Sequence, residues 1–126
     1  MITEDYVSFD IAKLLKENGF DEYTVMVYNQ NGNFMPAGAI EDTYQVFYAT
    51  PTLQMAMKWL REKHNLYCNI DYDFRLGWNN KITSLKETVI DHDIEMKTYL
   101  TNKVINYSSY EEACEDAIKY CLENLI

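Results

Sequence analysis

A chain of 126 residues, 48% apolar and 25% charged, suffices for one hydrophobic core, so residues 1–126 are expected to form a single domain. Its net charge of −9 works against non-specific attraction to nucleic acid and to anionic membranes, and no apolar run approaches the length of a membrane span. Three cysteines (Cys68, Cys114 and Cys121), an odd count with no CxxC pair, argue against a disulfide framework or a cysteine-based zinc site.

In chain order, the first regular element is a helix from about Phe9 to Asn18. Ser8 stands at its N-cap and Asp10 in its first turn suits the helix dipole. Ile11, Leu14 and Leu15 form its buried stripe, with Val7 just ahead. Gly19 followed by Phe20 spells a Schellman ending in which Phe20 covers Leu15. Tyr23 to Asn29 reads as a strand, and Asn31-Gly32 as a type I′ hairpin turn, which needs positive φ at both central positions. Pro36 to Asp42 reads as a loop. Thr43 to Ala49, with Tyr44, Val46 and Tyr48 alternating against Gln45 and Phe47, reads as an edge-type strand.

Thr50-Pro51 predicts the start of a second helix, with Thr50 capping, Pro51 in the first turn and an end near His64-Asn65. Leu66, Cys68, Ile70, Tyr72 and Phe74 then alternate with Tyr67, Asn69, Asp71 and Asp73, the best strand pattern in the chain. Arg75 to Asn80 is expected to turn the chain, Lys81 to about Val89 to return, and Met96 to Thr101 to add a strand. Ser109 to Ile126 spells an amphipathic helix. Its apolar positions are Tyr110, Ala113, Cys114, Ala117, Ile118, Cys121, Leu122 and Leu125, with Ser109 as N-cap and Glu112 placed to close a capping box. The expected fold is α+β: three helices packed on one mainly antiparallel sheet of about four to six strands, in the order α-ββ-(β)-α-βββ-α.

On the second helix Leu53, Ala56, Met57, Leu60 and His64 share one face, and Met55 and Trp59 lie outside it as an i,i+4 pair. Either a second neighbour covers the pair and Trp59 is core, or Met55 and Trp59 form a partner-binding or dimer surface. Charge is laid out unevenly: residues 1–57 carry −6, residues 58–86 carry +3, and residues 87–126 carry −6. Lys58, Arg61, Lys63, Arg75 and Lys81, with Trp78 beside them, are therefore the candidate polyanion surface. The supporting helix of a winged-helix module is missing and no RNP-like motif is present, which favours an ordinary solvated face.

Asp91-His92-Asp93 holds three metal-ligand types in a row, but in an extended segment His92 points away from both acids. His64 suits a helix C-terminus, and Asn69, Asp71 and Asp73 suit the wet face of a half-buried sheet. The cysteines sit on packed faces as small hydrophobes. No GxSxG, GxGxxG or phosphate-loop spacing occurs, so no catalytic, cofactor-binding or metal-binding residue is assigned.

Pro51-Thr-Leu-Gln-Met-Ala-Met-Lys-Trp-Leu-Arg-Glu62 with His64-Asn65, the segment from Ser8 to Phe20, and the terminal segment from Ser109 to Ile126 together resemble a family of small uncharacterised proteins of gut anaerobic bacteria and their phages or mobile elements. The resemblance implies an intracellular bacterial or phage-related setting and brings no activity with it. The acidic start Met1-Ile-Thr-Glu-Asp-Tyr6, where a secretion signal is basic, leads to the same cytoplasmic expectation.

The functional expectation is a small acidic, non-enzymatic interaction or accessory protein without cofactor or membrane attachment. It would bind another protein, or itself, through a tyrosine-bearing sheet or the Met55/Trp59 edge. The alternative is a nucleic-acid-associated regulator using the basic 58–86 region.

Overall fold

The computed structural model describes residues 1–40, 45–86 and 106–126, together with the backbone of 88–90, 93–95 and 98–99. Ser8 Oγ accepts from the Ile11 N–H at 3.3 Å and opens helix α1, Phe9–Glu17. The helix ends as the sequence predicts. Gly19 takes φ 88°, and the N–H groups of Gly19 and Phe20 donate to the carbonyls of Lys16 and Leu15 at 3.2 and 2.9 Å. Leu15 and Phe20 are both buried in the core cluster.

Strands β1, Met26–Asn29, and β2, Phe34–Pro36, form a hairpin where Asn31-Gly32 predicts one, with Tyr28 opposite Phe34. The turn is not type I′. Of its residues only Gly32 has positive φ, at 83°. Asn29 Oδ1 accepts from the N–H groups of Asn31 and Asn33 at 2.9 and 3.0 Å, and its carbonyl accepts from Gly32. That side-chain closure lengthens the turn and spares Asn31 the left-handed region. The expected loop from Pro36 begins with a 3-10 turn, Ala37–Ala39. Strand β3, Phe47–Ala49, pairs along the other side of β1. Residues 41–44, which include part of the expected loop and the start of the expected strand, lie outside the described residues. Within the rest, Val46 and Phe47 are both exposed, so the expected alternation does not govern burial there.

The second helix starts later than Thr50. The side chain of Thr52, not Thr50, accepts from the Met55 N–H (3.2 Å) and caps α2, Leu53–His64. Thr50 is fully buried, and its N–H donates to the Met26 carbonyl as the last ladder contact of β3 with β1. Pro51 has no N–H to extend that ladder, and its carbonyl accepts instead from Val7 at 3.1 Å. Leu53 N–H donates to Asp5, and Tyr6 bridges Thr52, so the N-terminal segment is laced along the start of α2. Asn65 closes the helix at φ 55°.

Strands β4, Leu66–Asp73, and β5, Gly77–Ser84, form a long hairpin with Cys68 opposite Ile82. Its turn is shorter than Arg75 to Asn80: Asp73 Oδ1 accepts from the Arg75 and Leu76 N–H groups, and Gly77 at φ 79° already pairs with Asp73. The expected return to Val89 is broken after Ser84. Thr88–Ile90 (β6) pairs instead with Asp93–Glu95 (β7), a hairpin absent from the sequence reading. Thr98–Tyr99 (β8), within the strand expected at 96–101, pairs antiparallel with β5. The other residues of that expected strand lie outside the described residues.

Helix α3, Tyr110–Tyr120, is capped by Ser109, whose Oγ accepts from Glu112 N–H at 3.1 Å, and runs on as a π-helical turn, Cys121–Leu125. The Glu112 carboxylate reaches one residue further back than a capping box, accepting from the N–H and hydroxyl of Ser108. Ala113, Cys114, Ala117, Ile118, Cys121 and Leu122 are buried, as the spacing predicts. The helix packs on β4, β5 and α2, and α1 packs on β3 and α3. The class is α+β, with three α-helices among the described residues. Its described strands, however, divide into antiparallel ladders β2-β1-β3, β4-β5-β8 and β6-β7 instead of one sheet. Pro51 and α2 end the first ladder before β4 begins the second.

Candidate interaction groove

Met55 and Trp59 have different fates. Trp59 is only 7% exposed, its ring edge-on to Phe20 at 5.3 Å and to His64 at 4.7 Å. Of the two readings of this residue, the covered one holds, and its cover is Phe20, carried there by the Schellman ending of α1. Met55, one turn earlier on α2, is 56% exposed.

Between them opens a groove of about 390 Å³ with Phe20 and Trp59 at its floor. Tyr6, Pro51 and Thr52 close one end, where the N-terminal segment is laced to the start of α2. Tyr23, Thr24 and Val25 supply another wall from the segment ahead of β1. This wall is tied to the sheet by Thr24 Oγ1, which donates to the Met26 carbonyl (2.7 Å) and accepts from the Thr50 N–H (3.0 Å). Because β3 leaves β1 at Pro51, no strand among the described residues covers 23–25 on that side, and Tyr23 and Val25 stand 85% and 69% exposed. The groove thus has an aromatic floor and four exposed large hydrophobic side chains on its walls, Tyr6, Tyr23, Val25 and Met55, the composition of a surface that gains by being covered.

Its rim carries Glu22, Lys58, Glu62 and Lys63. Lys58 and Glu62 pair at 4.0 Å with both side chains mostly exposed, an interaction of small energetic weight. Glu22 and Lys63 make no ion pair among the described residues.

The five candidate polyanion-binding bases are dispersed. Lys58 and Lys63 line the groove, and Arg61 is half-buried elsewhere on α2. Arg75 sits at the hairpin tip with its guanidinium 5.2 Å from the Phe74 ring. Lys81 pairs with Asn69 in the ladder and is exposed, while its neighbour Ile82 points into the core. Trp78 is packed against Tyr72 and Tyr110, at 5.1 and 5.6 Å.

A second cavity of about 420 Å³ lies between α1 and α3 and is rich in acids: Asp10, Glu112, Glu115 and Asp116. Glu115 accepts from the Ser8 N–H at 3.0 Å, and burial pushes its carboxyl above the usual range, partly offset by that bond. Asp116 accepts from the Tyr107 hydroxyl. These carboxylates serve helix ends and inter-element bonds. Among the described residues no group of three or more His, Cys, Asp or Glu side chains is arranged to hold a metal ion, and no helix is long and apolar enough to cross a membrane. Asp91 and His92 lie outside the described residues, and only the backbone of Asp93 is described.

Sequence reasoning missed the groove walls Tyr6, Tyr23 and Val25. Tyr23 and Val25 precede the β1 residues that pair with β3, and Tyr6 is placed by its bridge to Thr52, neither of which local pattern encodes. No protein-family model matches the chain, and no curated protein or solved structure matches it.

Proposed function

We propose that the protein is a non-enzymatic interaction module, working in the cytoplasm of a bacterial or phage-related system, that binds another protein chain in the groove between α2 and residues 22–25. The observation that carries this reading is the apolar wall formed by Tyr23, Val25 and Met55 over the Phe20–Trp59 floor. Three large side chains exposed together beside a concave surface cost free energy in water, and a protein segment removes that cost. Binding is favoured over catalysis because the Thr24 and Thr50 polar groups at the groove are already engaged in stitching the sheet. A polyanion partner has weaker support, since Lys58 and Lys63 share the rim with Glu22 and Glu62, and Lys81, on β5, does not line the groove.

Epitope-tagged protein carrying Tyr23→Asp or Met55→Asp is expected to lose its co-purifying protein in the native cells, while Lys81→Glu keeps it. Both groove positions are exposed, so the fold is retained, which circular dichroism verifies. Retention of the partner by both groove variants, with loss in Lys81→Glu, contradicts the reading.

A further inference from the structure

A second exposed apolar feature stands apart from the groove. At the β4–β5 tip Phe74 is 81% exposed and Leu76 50% exposed. A solvent-facing turn ordinarily carries Gly, Asn, Asp or Ser, and this one presents Phe-Arg-Leu. The tip is preorganised: Asp73 Oδ1 holds the N–H groups of Arg75 and Leu76 at 2.7 and 3.1 Å, and Gly77 returns the chain into register. A knob ordered before contact loses little conformational entropy when it docks.

Resting on the reading of the groove given above, we propose that the occupant is a second copy of this chain, whose Phe74-Arg75-Leu76 tip seats in the groove. Phe74 and Leu76 cover the walls at Tyr23 and Met55. Arg75, which makes no ion pair among the described residues, meets Glu22, an equally unpaired acid on the rim. The groove volume of about 390 Å³ falls within the roughly 300–1,000 Å³ of sites that enclose a ligand. The contact is heterologous, tip of one copy to groove of the next. Two bodies of net charge −9 repel, so the association belongs at physiological salt, where screening acts over about 8 Å.

Light scattering of the full chain from micromolar to near-millimolar concentration, at physiological salt, is expected to give a mass rising above 14.9 kDa. Phe74→Asp removes the knob and Met55→Asp spoils the groove. Each is expected to weaken self-association at least about tenfold, a loss of roughly 1.4 kcal/mol. Mixed together the two variants are expected to pair one to one, because one keeps an intact groove and the other an intact tip. A wild-type mass that stays monomeric at the highest concentration, or variants that fail to pair when mixed, overturns the proposal. If wild type stays monomeric while Met55→Asp still strips a different protein from the complex in cells, this self-contact falls and the groove reading stands. Loss of neither behaviour in the groove variant ends both.

Discussion

Burial decides what the reactive side chains of this chain are for. Burial pushes the Cys114 thiol up to about 11, and the Cys121 thiol is pushed up as well, mainly by its contact with Cys68 at 3.9 Å and then by burial. Both groups are fully buried in the core. Iodoacetamide at about pH 8.5, where a free thiol is half ionised, is therefore expected to leave Cys114 and Cys121 unlabelled in the native protein and to label all three cysteines after denaturation. Native labelling of either residue, read by mass spectrometry, contradicts the packing described.

Glu115 makes the second residue-scale prediction. Its folded-state carboxyl titrates above the unfolded value, so the folded protein holds the proton more tightly. Stability from this group is highest at low pH and falls as pH rises from about 4.3, the ordinary Glu value, through the raised one. Glu115→Gln, which keeps an acceptor for the Ser8 N–H, is expected to flatten that fall in denaturant titrations. An unchanged pH slope contradicts it.

At the scale of the element, helix faces and the place of the first hairpin were legible, and turn types and the start of α2 were not. The stripes of α1, α2 and α3 follow from apolar residues at three- and four-residue spacing, and the Ser8, Ser109 and Gly19-Phe20 ends follow from local chemistry. The turns failed where a side chain or a neighbouring segment made the choice. Asn29 closed its own turn, and the β1–β3 ladder claimed the expected cap Thr50, so that Thr52 caps α2 instead. Ser109→Ala is expected to cost about 1 kcal/mol of unfolding free energy through the lost cap. Gly77→Ala is expected to cost at least roughly 1–2 kcal/mol, from the left-handed backbone alone. Its Cβ would also stand 2.8 Å from Asn106 Oδ1, whereas the Gly38 site is open. Gly38→Ala is accordingly the benign control, and equal costs for the two glycine variants count against the turn geometry.

Across the whole molecule, the sequence conveyed the class and the core but not the division into ladders. The break between the first ladder and the second falls at Pro51, whose carbonyl the N-terminal segment claims through Val7, two residues' worth of chemistry with a global result. The candidate site was half legible for the same reason. Met55 and Trp59 were visible on a helical wheel, but Tyr23 and Val25 become groove walls only because β3 turns away beside them. The proposed docking site therefore rests on a tertiary feature, and the test belongs at that feature.

The most direct measurement is site-specific photo-crosslinking in the native cells from a benzophenone amino acid placed at Met55, with the same residue at Asp10 on the exposed side of α1 as the reference position. A groove that receives protein gives a discrete protein adduct from position 55 and none from position 10. Equal adducts from the two positions, or adducts to nucleic acid alone, contradict the account.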